Sequence, residues 1–255
     1  MDERGLNGAA DAPGPLRIAM WSGPRNISSA MMRSWGNRLD AWVTDEPLYA
    51  HYLLVTGFNH PGREEVIASQ ETDWRKVASW LTGPVPNGKR VWYQKHMAHH
   101  LLPDIDRKWI HGLTNCFLIR EPREMITSLI KVYPEAGLAD TGLPQQMELF
   151  TSEMERTGEV PPVIDSKDML LNPEGMSRLL CRRLGVEFSD RMLSWPVGTR
   201  ETDGAWAPYW YGAVERSTGY EKYRSKPDPV PQPLQGVLDE CDRLYCRLAA
   251  HRLVL

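Results

Sequence analysis

Arg17-Ile18-Ala19-Met20-Trp21-Ser22-Gly23-Pro24-Arg25-Asn26-Ile27-Ser28-Ser29-Ala30-Met31-Met32 decides how this chain reads. Ile18 to Trp21 is a short apolar run, the pattern of a buried strand. Ser22-Gly23-Pro24 is turn chemistry. Asn26 supplies a cap, and the residues from Ile27 onward suit a helix. A strand, a tight basic turn and a helix in that order bring a helix N-terminus, its free backbone N–H groups and one guanidinium to a single point. Such a point binds phosphate. The plain alternative is an ordinary turn with a solvated Arg25.

The turn is not the common nucleotide loop, GxxxxGK[ST]. No second glycine follows Gly23 in that spacing, and no Gly-Lys-Ser/Thr closes it. Arg25 is its cation, with Ser28 and Ser29 as hydroxyl donors. A second segment repeats the same grammar: Asn115-Cys116-Phe117-Leu118-Ile119-Arg120-Glu121-Pro122-Arg123-Glu124-Met125-Ile126-Thr127-Ser128-Leu129-Ile130. An apolar strand ends at Arg120, and Pro122 sits at a first helical position. Met125, Ile126, Leu129 and Ile130 then follow at helical spacing. Arg120 and Ser128 are polar in an otherwise apolar frame.

Strands are expected near 16–21, 41–45, 90–96, 114–120 and 161–165. Helices are expected near 27–38, 46–57, 73–82, 122–133, 143–157, 173–184 and 233–252. This alternation predicts an α/β fold, a single P-loop-like domain with a central parallel sheet flanked by helices on both faces. Residues 1–15 read as a disordered leader and 16–255 as the domain. Lys226 to Pro233 reads as a stiff Pro-rich connector before the last helix. Ligands in such folds sit at the carboxyl ends of the strands, where Arg25, Glu46, His96 and Arg120 all fall. The 255 residues carry a net charge of −3, which argues against a general nucleic-acid binder. No apolar run has transmembrane length, and four scattered cysteines fit reduced thiols in a cytoplasm.

Together the two turns carry a family resemblance. WSGPRNISSAM resembles the 5′-phosphosulfate loop of sulfotransferases that use 3′-phosphoadenosine 5′-phosphosulfate (PAPS). FLIREPREMITSL resembles their 3′-phosphate segment, in which a Ser follows an Arg by eight residues, as Ser128 follows Arg120. The likeness is greatest to bacterial members with a WSGPRN-type loop. It implies that Arg25, with Asn26, Ser28 and Ser29 beside it, holds the 5′-phosphosulfate and that Arg120 and Ser128 hold the 3′-phosphate. Glu215-Arg216-Ser217-Thr218-Gly219-Tyr220 resembles the loop that closes over the 3′-phosphate and adenine, which places Ser217, Thr218 and Gly219 at the donor. The usual version is more basic.

The resemblance also implies a general base. Many members have Lys-x-His with a Pro seven residues on; here His96 and Pro103 keep that spacing. Gln94 stands at the Lys position and Lys95 is displaced by one, which on a strand points it to the opposite face. His96 is one candidate for the acceptor's proton, with His99 and His100 as rivals. Glu46, in Asp45-Glu46-Pro47, is the other, since some bacterial members use a Glu there; its alternative is a helix-dipole partner. The His cluster lacks a Cys or carboxylate at ligand spacing, so no metal is expected. The implied reaction is sulfuryl transfer from PAPS to a hydroxyl or amine of a small-molecule acceptor. The rivals are a Mg²⁺-dependent small-molecule kinase and a catalytically silent nucleotide-binding subunit. Residues 195–223, rich in Trp, Tyr and Gly, read as an ordered loop over the site.

Overall fold

The computed structural model describes residues 14–225 and 228–255. The expected leader lies outside these residues except for Gly14 and Pro15, as do Lys226 and Pro227 of the expected connector. Five strands form one sheet: β1 (Leu16–Ser22), β2 (Ala41–Asp45), β3 (Val91–Met97), β4 (Thr114–Ile119) and β5 (Val163–Asp165). Their order is β2-β3-β1-β4-β5, and every pairing is parallel. Parallel neighbours need crossovers, and the helices supply them. These are α1 (Ser28–Gly36), α2 (Tyr49–Thr56), α3 (Arg63–Ser69), α4 (Trp74–Thr82), α5 (Pro122–Leu129), α6 (Leu143–Thr157), α7 (Ser166–Leu171), α8 (Pro173–Arg183), α9 (Ala207–Trp210), α10 (Gly212–Glu215) and α11 (Gln235–Ala249).

The sheet divides two cores. On one face Trp21, Trp92 and Phe117 pack against Leu81 of α4, Phe150 of α6 and Leu248 of α11. On the other, Ile18, Met20, Tyr93 and Cys116 pack against Met31 and Trp35 of α1, Leu53 of α2 and Leu180 of α8. Helices thus cover both faces, as the alternation requires. Gln146 of α6 ties strand ends together, donating to the Trp21 carbonyl at 2.8 Å and the Leu118 carbonyl at 3.1 Å.

Local chemistry sets the boundaries. Glu46 has φ 37°, so the stretch after β2 turns before it can wind, and α2 begins at Tyr49 rather than near 46. Gly57, at φ 68°, ends α2 in a left-handed cap. Asn26 does not cap α1: its Oδ1 accepts from the next residue's N–H and its Nδ2 donates to the Leu118 carbonyl at 3.1 Å. It locks the turn to the end of β4 instead, and α1 starts at Ser28. Helices α3 and α7 are short and fall where no element is expected, and α9 and α10 fall within the expected 195–223 loop. The four cysteines are free. No helix among the described residues is long and apolar enough to cross a membrane.

Candidate active site

At the carboxyl end of the sheet lies a cavity of about 460 Å³. Its first wall is the turn from β1 to α1. Gly23 is required there because a Cβ would meet the Thr141 carbonyl oxygen at 2.4 Å. Arg25 follows at φ 55°, a left-handed conformation that a residue with a Cβ rarely adopts. The residue at the N-cap of α1 is Ile27, and no side chain caps the helix. The first amides of α1 therefore stay open to a ligand. By contrast, Glu121, Asp73, Asp165 and Asn172 cap α5, α4, α7 and α8.

The second basic turn meets the first. Arg25 Nε donates to Ser128 Oγ at 3.1 Å, and Arg120 donates to the Arg25 carbonyl. Arg120 also pairs with Glu124 at 3.0 Å, and Tyr223 donates to the other oxygen of that carboxylate at 2.8 Å. Burial and then the adjacent Arg120 charge lower the Arg25 pKa from its ordinary value. Two like charges held this close make a field that an anion relieves. Arg25, Asn26, Ser28, Ser29, Arg120, Ser128, Ser217 and Gly219 all line this end of the cavity. Thr218 does not line it; its carbonyl accepts from the Trp195 N–H at 3.0 Å.

The far end is built around Lys95. Strand β3 runs unbroken to Met97, so its alternation continues through the motif. Lys95 is in register with Asp45 and Met20, and His96 with Trp21. Lys95 therefore faces the cavity, while Gln94 and His96 face the opposite core. Lys95 is 1% exposed. Its Nζ donates to Asp45 Oδ1 at 2.9 Å, to the Tyr211 hydroxyl at 2.8 Å and to Glu46 Oε1. The Tyr211 hydroxyl donates in turn to Asp45 Oδ2 at 2.6 Å. Burial opposes the Lys95 charge, but Asp45, Glu46 and Tyr211 outweigh it and raise the Lys95 pKa well above its ordinary value.

Glu46 borders the cavity beside this cluster. Burial, the largest cause, raises its carboxyl pKa, Asp45 adds to the rise and Lys95 pulls against it. Its strained backbone is held by hydrogen bonds from the Glu46 N–H to the Lys95 carbonyl at 2.9 Å and from Gln70 to its own carbonyl at 3.3 Å. Strain of this kind gathers at functional positions. Around Glu46 the walls are rings. His100 stacks on Tyr49 at 4.6 Å and on Tyr52 at 4.7 Å, and Phe58 meets Tyr133 edge-on. Burial is the main cause that pushes His99 down to about 3 and His100 well below its ordinary value, so both imidazoles are neutral.

The structure corrects the placement expected of His96. It is 1% exposed, stacks on Trp21 at 4.3 Å and does not line the cavity. Burial, then the Lys95 charge, push its pKa down to about 3. Its imidazole lies on the face of the sheet away from the cavity. Lys95, Asp45 and Tyr211 each stood in the sequence reading, but their meeting in one buried cluster did not. The signal lay in the one-residue displacement of Lys95, which only the phase of β3 could interpret.

The wall above Glu46 is fastened to α1. Arg33 makes a buried two-point pair with Asp203, one arm at 2.7 Å. Ser34 donates to the Met192 carbonyl at 2.7 Å, and Asn37 donates to the Arg191 and Ser194 carbonyls. The aromatic stretch is thereby ordered. Trp206 and Tyr211 are buried and line the cavity, Trp210 lines it too, and Tyr209 stays half exposed. Among the described residues no group of three or more His, Cys, Asp or Glu is arranged to hold a metal.

The chain is thus an α/β domain whose parallel sheet carries, at its carboxyl end, a cavity lined by two basic turns and by the buried carboxylate of Glu46. A family model described as a sulfotransferase domain matches residues 16–239, and the chain belongs to that family. Two Arabidopsis thaliana proteins, named branched-chain-amino-acid aminotransferase-like proteins 1 and 2, are 34% and 32% identical over 237 and 234 residues. The alignments cover 93% and 92% of this chain but 42% and 41% of theirs, so the chain spans less than half the length of these curated relatives. The sulfotransferase domain from the curacin biosynthetic pathway superposes with a TM-score of 0.56 at 14% identity, covering 91% of this chain and 99% of that one. That likeness shows the fold.

Proposed function

We propose that this domain transfers a sulfuryl group from PAPS to a hydroxyl or amine of a small-molecule acceptor. The observation that carries the reading is the polarity of the cavity: Arg25, Arg120 and the uncapped α1 at one end, Glu46 among rings at the other. In this reading Arg25, Ser28, Ser29 and the first amides of α1 hold the 5′-phosphosulfate. Arg120 and Ser128 hold the 3′-phosphate, with Ser217 and Gly219 closing beside it. Separate phosphates explain why two basic turns converge.

Glu46 takes the acceptor's proton as the acceptor atom bonds to sulfur and the sulfur–oxygen bond to the 5′-phosphate breaks. Charge grows on the departing phosphate oxygen, where Arg25 and the α1 amides oppose it. A carboxylate whose pKa burial has raised is a stronger base than an exposed one, which suits it to this step near neutral pH. The aminotransferase-like name of the plant relatives does not fit this cavity. A transaminase lysine must reach the neutral amine to form its imine. Lys95, the one buried lysine among the described residues, is instead locked as an ammonium between two carboxylates.

Calorimetric titration with PAP, alongside ATP plus Mg²⁺, tests the donor. PAP should bind without metal, and Arg120→Ala should weaken it by roughly 1.5–3 kcal/mol, the range for a lost hydrogen bond to a charged group. Unchanged affinity overturns the assignment of Arg120. Binding of ATP with Mg²⁺ and none of PAP replaces the reading with a kinase. PAP binding with no consumption of PAPS across a panel of alcohols and amines leaves a silent nucleotide-binding subunit.

A further inference from the structure

Lys95 is a buried cation that lines the cavity, yet its geometry leaves nothing to offer a ligand there. An ammonium has three N–H donors, and Asp45, Glu46 and Tyr211 engage all three. We propose that Lys95 is a positioning residue that acts on the transfer only through Glu46, and that it forms with Asp45 an opposed pair setting the charge of that base. The inference rests on Glu46 being the base of the proposed reaction; its structural half stands without it.

The groups that face Glu46 come from every element around it. Asp45 approaches from β2 and Lys95 from β3. His100, from the turn after β3, has its Nδ1 at 4.0 Å from Glu46 Oε2. Tyr49 of α2 lies close enough for the Glu46 charge to raise the Tyr49 pKa. Tyr211 completes the ring from the segment between α9 and α10. Tyr49 and Tyr211 have pKa values above their ordinary value, and His100 is neutral. The ion pair beside Glu46 is Lys95 with Asp45, 2.9 Å apart. The cation favours the ionised carboxylate, and the anion disfavours it. Tyr211 joins both partners of the pair, so it fixes the distance over which they act on Glu46.

This arrangement makes two substitutions act in opposite directions, which no loss of packing does. With the protein labelled at the glutamate side-chain carboxyl carbon, Glu46 is assigned as the NMR signal lost in Glu46→Gln, and its titration midpoint is read without any acceptor. Lys95→Met should raise that midpoint by more than about one pH unit, a tenfold change in the ratio of ionised to neutral carboxyl. Asp45→Asn, which keeps the shape of the side chain, should lower it. PAP affinity should stay within about twofold of the native protein in both variants, because Lys95 has no donor left for the nucleotide. If Lys95→Met does not fold, Asp45→Asn alone decides: a midpoint that rises or stays overturns the proposal. A folded Lys95→Met that binds PAP tenfold more weakly overturns it too, because Lys95 then touches the donor. Failure of the sulfuryl-transfer reading shows separately, as native protein that binds no PAP.

Discussion

Lys95 and His96 are neighbours in the chain and belong to different parts of the molecule. Lys95 faces the cavity, with three polar partners around its ammonium. His96 faces the opposite core, against the rings of Trp21 and Trp109. Both are 1% exposed, yet burial has opposite outcomes. Beside carboxylates it leaves a cation, with a pKa raised well above its ordinary value. Beside rings it leaves a neutral imidazole, with a pKa pushed down to about 3. A buried charge persists only where partners compensate its lost hydration. Which of two adjacent titratable residues can serve the cavity is thus decided by one backbone phase.

The sharpest way to break this comparison is to remove the proposed base on the cavity side. Glu46→Gln is expected to lower turnover by about 10²–10⁴-fold, the usual worth of a general base. PAP affinity by calorimetry should be unchanged. Turnover near the native value would return the base to another residue, His99 or His100 first. The buried histidines give a smaller effect, read as stability against pH. His96 and His99 titrate near 3 in the folded protein and near 6.5 when unfolded. Below about 6.5 the unfolded chain binds protons that the native one refuses, so stability is full above that value and falls as pH drops toward 3. Each such histidine contributes a slope of up to about 1.4 kcal/mol per pH unit, measurable from urea midpoints. His96→Phe should remove one histidine's share. The smallest effect on catalysis sharpens the contrast most: the same His96→Phe should leave PAPS turnover within a few-fold of native, while costing roughly 1–3 kcal/mol at neutral pH because buried Gln94 Oε1 loses its partner.

The five strands were legible because each is a short apolar run bounded by turn residues, and their parallel pairing followed from the intervening helices. The two basic turns were legible for the same reason: Gly23-Pro24-Arg25 and Arg120-Glu121-Pro122 announce their own geometry. The facing of β3 was not. Val91, Trp92 and Tyr93 are buried on both sides of the sheet, so the run shows no alternation from which a face could be read. A motif carried over by spacing then put His96 in the cavity, whereas the register with β1 puts it beside Trp21. Tyr211 was hidden for another reason. It reaches Asp45 across 166 positions of chain, a contact that local pattern cannot announce. Helices α9 and α10 are four residues each, too short for any period to register.

The buried pair between Arg33 and Asp203 has a kinetic consequence. Helix α1 carries the donor turn at its start and, through Arg33, the wall over Glu46 near its end. On the proposed reading, nucleotide at the first amides of α1 touches the same helix that anchors this wall. Backbone amides across 203–211 should exchange with solvent more slowly once PAP is bound, and Arg33→Ala should abolish that protection while PAP still binds.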